Sequence, residues 1–233
     1  MNLYVGTSGF SYPEWKGSFY PADLSEKQML HYYGAHFRSV EINNTFHRMP
    51  KAAALEAWAS EVPADFKFAL KAPQRITHQQ RLSDADEAVS YLLEVAGVLR
   101  ERLGPLLFQL PPDFPKDLAR LRGFLLLIPQ KYYRVAFEFR HPSWFDEEVF
   151  ALLGKHGAAL CIAEAENGLK VPVVATADWG YLRLRRQDYG VKELKKWLKQ
   201  VREQGWTDAF IYFKHEDQAR GPQFAQRFQE LAG

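Results

Sequence analysis

One phrase recurs eight times along the chain: a short apolar run, a polar or charged residue at its end, then a longer stretch with helical spacing. The runs are Leu3–Ser8, Ser39–Asn43, Phe66–Lys71, Leu106–Leu110, Arg134–Arg140, Ala158–Glu164, Tyr181–Arg185 and Ala209–Lys214. Strands alternating with helices build parallel sheets from right-handed βα units, and eight units are what a closed (β/α)8 barrel of the TIM type requires. At 233 residues the chain has the length of one such barrel, so residues 1–233 read as a single domain. Two of the runs, 106–110 and 135–139, are apolar on both parities, as strands covered on both faces must be. The exception to the rhythm is 165–179, where Gly168 and a run broken by Pro172 predict an irregular connection between strands six and seven.

Helix signals support the same layout. Ser25-Glu26-Lys27-Gln28 has the spacing of a capping box and predicts a helix reaching about Ala35. Ser83 is the expected start of a helix whose apolar face is Ala88, Leu92, Val95 and Leu99, and 191–204 predicts another amphipathic helix. The single cysteine, Cys161, lies in an apolar run and reads as a small buried residue. One cysteine forms no internal disulfide, which fits a reducing cytoplasm. A net charge of +2 gives no overall pull toward nucleic acid. The longest apolar stretch, 124–129, is far shorter than the ~18 residues of a membrane span, and the N-terminus shows no pattern of a secretory leader.

Barrel sites form at the C-terminal strand ends, and charges there are costly unless they act together. Those ends read Ser8, Glu41 and Asn43, Lys71, Gln109, Glu138 and Arg140, Glu164, Arg183 and Arg185, and Lys214. Alternation assigns their directions. Val40, Ile42, Phe137 and Phe139 should face the helices, which turns Glu41, Asn43, Ala136, Glu138 and Arg140 into the barrel; Arg183 and Arg185 follow by the same parity. Two carboxylates among several cations suit an enzyme for a phosphorylated or otherwise anionic small molecule or nucleic-acid fragment, with Glu41 or Glu138 as acid/base. Lys71, Gln109, Arg140, Arg183, Lys214 and Asn43 would bind the substrate, in a hydrolase or isomerase reaction. The bland counterpart is a structural ion-pair layer at the barrel top.

Long loops should follow strands one, two, three and five at 9–21, 44–50, 73–81 and 141–145. They bring Tyr12, Trp15, Phe46, His78, His141 and Trp144 to the rim, with Trp179 expected beside them; aromatic faces there would stack on a sugar or base. Gly6-Thr7-Ser8-Gly9 lacks the spacing and lysine of a phosphate loop. No HxH or HxxxH pair exists, so no metal ligands are assigned. His78, His141 and His215 with the two glutamates leave a divalent metal open, as in barrel phosphoesterases and isomerases of the endonuclease IV and xylose isomerase type. A third reading is a non-catalytic protein for a nucleotide or single-stranded nucleic acid.

Several strings together carry a resemblance. Gly6-Thr7-Ser8-Gly9-Phe10-Ser11-Tyr12, Trp15-Lys16-Gly17, Val40-Glu41-Ile42-Asn43-Asn44-Thr45-Phe46, Lys71-Ala72-Pro73 and Ile76-Thr77-His78 stand in that order. They are followed by Leu103-Gly104-Pro105-Leu106-Leu107-Phe108-Gln109-Leu110-Pro111-Pro112, Phe137-Glu138-Phe139-Arg140-His141-Pro142-Ser143-Trp144, Tyr181-Leu182-Arg183-Leu184 and Tyr212-Phe213-Lys214-His215. The chain resembles the domain of unknown function 72, or YecE-like, family over essentially its whole length. The resemblance implies a barrel of the TIM type and supplies no reaction. Two positions depart from that pattern: His47 stands where tyrosine is common, and Arg185-Arg186 where His-Gly is usual. The second change removes a candidate ligand or base and weakens the metal reading.

Overall fold

The eight runs become eight parallel strands in the computed structural model, which describes residues 1–164, 168–214 and 219–233. They are β1 (Asn2–Thr7), β2 (Ser39–Ile42), β3 (Lys67–Lys71), β4 (Leu103–Gln109), β5 (Val135–Glu138), β6 (Ala159–Ala163), β7 (Trp179–Leu184) and β8 (Asp208–Phe213). Every strand pairs in parallel with its sequence neighbour except β1, which pairs with β8, so the order runs β1-β8-β7-β6-β5-β4-β3-β2. Among the described residues seven α-helices cover the outside: α1 (Met29–His36), α2 (Ala52–Glu61), α3 (Asp86–Gly97), α4 (Leu118–Leu126), α5 (Glu147–Lys155), α6 (Val191–Glu203) and α7 (Arg220–Ala232). No described residue between β6 and β7 is helical, as the sequence pattern predicts. There the Thr176 hydroxyl donates to the Ala158 carbonyl and accepts the Leu160 N–H, both at 2.8 Å, which pins the irregular strap to the start of β6.

The barrel closes between β1 and β2 through a seam rather than a full ladder. At the top Ser8 bridges Glu41, and the Gly9 N–H donates to the Glu41 carbonyl at 2.8 Å. Lower down a side chain does the work of a strand. The Tyr33 hydroxyl, brought in by α1, accepts the Thr7 N–H at 2.8 Å and donates to the Ser39 carbonyl at 3.1 Å. Gly6 is required beside it, because a Cβ there would lie 1.9 Å from the Ser39 oxygen. Backbone groups that would otherwise be buried without partners are thereby satisfied.

Two cores follow from strand parity. Val40, Ile42, Phe68, Phe108, Phe137, Leu182 and Leu184 face the helices, whereas Ala69, Leu107, Ala136, Ala159, Cys161, Tyr181 and Tyr212 fill the barrel. The inner set is asymmetric, with small residues on β3, β5 and β6 and aromatic rings on β7 and β8. Tyr181 and Tyr212 reach across the lumen with ring centroids 5.3 Å apart and floor the space above. Cys161 is part of this packing, and burial pushes its thiol well above the ordinary range.

Three local expectations need correction. Helix α3 starts at Asp86 rather than Ser83, because Arg81, Leu82 and Asp84 take left-handed φ values of 47°, 68° and 48° that no α-helix can continue. The Ser25 hydroxyl donates to the Gln28 side chain at 2.7 Å instead of capping the backbone, so a 3-10 turn precedes α1. Trp179 opens β7 and lies at the N-terminal end of the barrel, where its ring meets Phe210 edge-on at 6.0 Å, far from the rim assigned to it.

Candidate functional site

The C-terminal strand ends gather a compact charge network around Arg183. This residue rises from β7 above the tyrosine floor and is only 3% exposed. Its Nη2 donates to Glu41 Oε1 at 2.8 Å and to Asn43 Oδ1 at 3.2 Å, and its Nη1 donates to Glu138 Oε2 at 2.6 Å and to Gln109 Oε1 at 3.3 Å. Strands β2, β4, β5 and β7 are thus tied across the mouth by one planar guanidinium, whose fixed fork suits two carboxylates at once.

Both carboxylates are saturated. Glu41 Oε1 also accepts the Ser8 hydroxyl at 2.7 Å, while Oε2 accepts the Tyr181 hydroxyl at 2.6 Å. Glu138 Oε1 is shared by Arg185 Nη2 at 2.6 Å and Arg140 Nε at 3.1 Å. Burial opposes ionisation of Glu41, but the Arg183 charge and the hydrogen bonds from Tyr181 and Ser8 outweigh it and hold the carboxyl below its usual range. The same contest at Glu138 is decided by Arg183, Arg185 and Arg140, which hold it well below that range. A carboxylate kept ionised has no proton to give, and one so strongly stabilised is a poor base. In this arrangement Glu41 and Glu138 each hold guanidinium groups at the mouth.

Lys71, at the end of β3, has the opposite character. Its Nζ sits 3.9 Å from the centre of the Phe46 ring, and among the described residues it makes neither a hydrogen bond nor an ion pair. Burial and the neighbouring Arg183 pull its pKa down to about 8, against the attraction of Glu138 and Glu41. His78 meets the same ring edge-on, with centroids 4.9 Å apart, and its Nδ1 lies 2.9 Å from the Thr77 hydroxyl. Burial and the charges of Lys71 and Arg140 hold the His78 imidazole below its ordinary pKa, hence neutral at pH 7.

Not every residue expected here arrives. Trp15 and Trp144 are 1% and 0% exposed. Each ends a Pro-x-Trp 3-10 turn that swings the indole inward. Trp15 packs among Phe19 and Tyr20, and Trp144 stacks on Phe139 at 4.6 Å while donating to the Phe114 carbonyl at 2.7 Å. Neither presents a face to a ligand. His141 turns its Nδ1 to the Ser143 hydroxyl at 2.7 Å and organises its own turn. Lys214 is exposed and joins no described ion pair. Tyr12 donates to the Ser8 carbonyl at 2.8 Å and lines a cleft of about 420 Å³ with Phe10, Asn43 and Trp58, which adjoins the network through Asn43. Ser8 and Arg185, strand-end residues of the sequence reading, and Phe46, one of its rim residues, all reach the site. The residue that reading passes over is Tyr181, although it shares the inward parity of Arg183 two positions on.

Among the described residues no three His, Cys, Asp or Glu side chains come together as ligands, and both buried glutamates spend their oxygens on guanidinium groups. His215 lies outside the described residues. No described helix is long and apolar enough to cross a membrane.

Comparison with known proteins places this arrangement. The UPF0759 protein YecE of Escherichia coli is 32% identical over 144 residues, a match covering 61% of this chain and 50% of YecE, so about half of that relative's length is spanned. YunF of Bacillus subtilis is 26% identical over 93% of this chain and 79% of its own. The crystal structure of a DUF72 family protein from Thermotoga maritima superposes with a TM-score of 0.85 at 29% identity, over 99% of this chain and 98% of that one. More distant barrels share the fold alone. A sugar phosphate isomerase/epimerase from Parabacteroides distasonis gives a TM-score of 0.61 at 10% identity, covering 99% and 95% of the two chains. A D-psicose 3-epimerase gives 0.59 at 12%, covering 100% of both. The family model described as "Protein of unknown function DUF72" matches residues 4–233, nearly every residue that builds the barrel and its charged mouth, and the chain belongs to that family.

Proposed function

We propose that the protein is an enzyme that binds a small phosphorylated or carboxylated molecule at the C-terminal mouth of the barrel and moves a proton on it. The observation that carries the reading is the Lys71 amine, which lies in the field of Arg183 and Arg140 with neither a hydrogen bond nor an ion pair among the described residues. An ammonium set among other cations without a described counter-ion favours an anionic ligand. Arg140 and Arg185 retain partial exposure and would face it; the deeper Arg183, held by both glutamates, fixes the geometry.

In this reading Lys71 is the reactive group. An amine whose pKa lies near neutrality is present partly as free base and is matched to proton transfer at physiological pH. Proton transfer next to a carbonyl is also the chemistry of the isomerases and epimerases whose fold this barrel shares, and fold alone lends that point little weight. Binding is tested by calorimetry with inorganic phosphate and phosphorylated hydroxy-carbonyl compounds. Turnover is tested by solvent deuterium entering the carbon next to the carbonyl. Uptake that vanishes in Lys71→Met and survives in Glu138→Gln supports the assignment; the reverse pattern restores glutamate as the acid/base. Tight phosphate or oligonucleotide binding without exchange would favour a non-catalytic nucleotide-binding protein.

A further inference from the structure

We infer that Lys71 acts covalently, as the amine that forms an imine with the carbonyl carbon of a small oxo compound carrying a phosphate or carboxylate. The inference rests on the reading of the mouth as an anion site and adds the kind of bond made there. Nucleophilic lysines need an amine that is accessible, weakly hydrated and set near other cations, so that the free base is populated. Lys71 meets each condition. It ends a barrel strand, it is only partly buried, its Nζ rests on the Phe46 face, and among the described residues it makes neither a hydrogen bond nor an ion pair, Glu41 and Glu138 acting on it only at longer range. Arg183 and Arg140 raise the positive field at the amine, which favours the unprotonated form. Arg140, the most exposed of the guanidinium groups, is placed to hold an anionic substituent on the reactant, leaving its carbonyl to the amine. A lysine meant only to bind phosphate gains nothing from a lowered pKa, since it would lose its charge.

The step is balanced without a co-reactant. The Nζ lone pair adds to the carbonyl carbon while the C=O π pair moves to oxygen. The oxygen then takes two protons, one from nitrogen and one from solvent, and leaves as water; the product is an iminium with one N–H. That cation withdraws electrons from the adjacent carbon and makes its C–H acidic. The His78 imidazole, which shares the Phe46 ring with Lys71 and is held below its ordinary pKa first by burial and then by the Lys71 charge, would take that proton.

Glyoxylate and dihydroxyacetone phosphate, incubated with the full chain and sodium cyanoborohydride, trap such an imine as a stable secondary amine that peptide mass spectrometry locates. With pKa about 8 at Lys71, against about 10.5 for an exposed lysine, the free-amine fraction at pH 7.5 is about 100-fold larger or more. Lys71 should therefore be labelled at least ten times faster than Lys214 or any surface lysine, inorganic phosphate should slow it, and the label should vanish in Lys71→Arg and Lys71→Met. Labelling spread evenly over surface lysines, or none at Lys71 while calorimetry still records phosphate binding, overturns the covalent role and leaves the anion site standing. Absence of both label and phosphate binding in a folded protein overturns the two together.

Discussion

Replacing Lys71 by methionine should make the protein more stable at neutral pH, although it removes the residue on which the proposed chemistry depends. In the unfolded chain the amine titrates near 10.5, and in the fold burial and Arg183 bring it to about 8. Because the folded value is the lower one, the unfolded state binds more protons between the two, and stability rises with pH across that window. At pH 7 both states are mostly protonated, and the fold carries the full cost of an ammonium placed among guanidinium groups. The whole shift corresponds to about 3 kcal/mol, and partial exposure to water reduces this to about 1–2 kcal/mol. Methionine keeps the stem's volume on Phe46 and brings no charge. Urea denaturation of wild type and variant from pH 6 to pH 10.5 reads the difference directly: the variant should be more stable by about 1–2 kcal/mol at pH 7, with the gap closing as the pH passes 10. A variant less stable than wild type at pH 7, or a gap that does not change with pH, would refute the claim that the Lys71 charge is held against its preference.

The other expectations concern the network and the seam. Glu138→Gln removes the charge partner of three guanidinium groups and should cost about 3–5 kcal/mol in denaturant melts. Glu138 is held well below its ordinary pKa in the fold, so its contribution to wild-type stability is present above about 4.5 and lost as pH falls; the variant's acid limb should be flatter between pH 5 and pH 3. Arg140→Ala should weaken phosphate binding by about 2 kcal/mol in calorimetry with little loss of melting temperature, since Arg140 stands at the open side of the cluster. Gly6→Ala forces a Cβ against the Ser39 oxygen and displaces Tyr33 from the β1–β2 seam, which should lower stability by about 2 kcal/mol or more and expose the Thr7 amide to hydrogen exchange.

Parity made much of this legible before any coordinates. Once Val40 and Ile42 are assigned to the helices, Glu41 must point inward, and the same rule delivers Glu138, Arg140 and Arg183. What parity omits is which inward groups pair. Arg183 meets Glu41 and Glu138 across 142 and 45 residues of chain, and nothing local in the sequence announces that one guanidinium takes both. The distinction between a glutamate that reacts and one that is saturated lives entirely in those cross-strand bonds. Trp15 and Trp144 mislead for a related reason: a tryptophan in a loop at the mouth looks like a stacking platform until the Pro-x-Trp turn is seen to fold it inward. Strand ends marked by glycine were also read too short. Gly104 belongs to β4 and lies where a Cβ would come 3.1 Å from the Phe68 oxygen; Gly180 belongs to β7 where a Cβ would come 2.3 Å from the Trp206 ring. Both are glycines because a neighbour approaches closely, not because the chain turns.

The strongest argument that the mouth is a site and not a structural plug comes from what the network leaves undone. A buried ion-pair layer kept for stability would match its charges, since each uncompensated ion costs several kcal/mol to desolvate. Glu41 fits that description, with hydroxyl, amide and guanidinium donors on both oxygens. Glu138 fits it as well, with Arg183 on one oxygen and Arg140 and Arg185 on the other, but beyond it Lys71 sits on an aromatic face with its charge disfavoured by burial and by Arg183. That placement of Lys71 lowers the stability of the empty protein, and an anion at the mouth would reverse it. Local unfavourability concentrated at one end of a barrel whose lumen and outer layer are otherwise well packed is what a binding site costs its fold. The wild-type protein should accordingly gain several degrees in melting temperature with saturating phosphate, and the Lys71→Met variant, already relieved of its charge, should gain less.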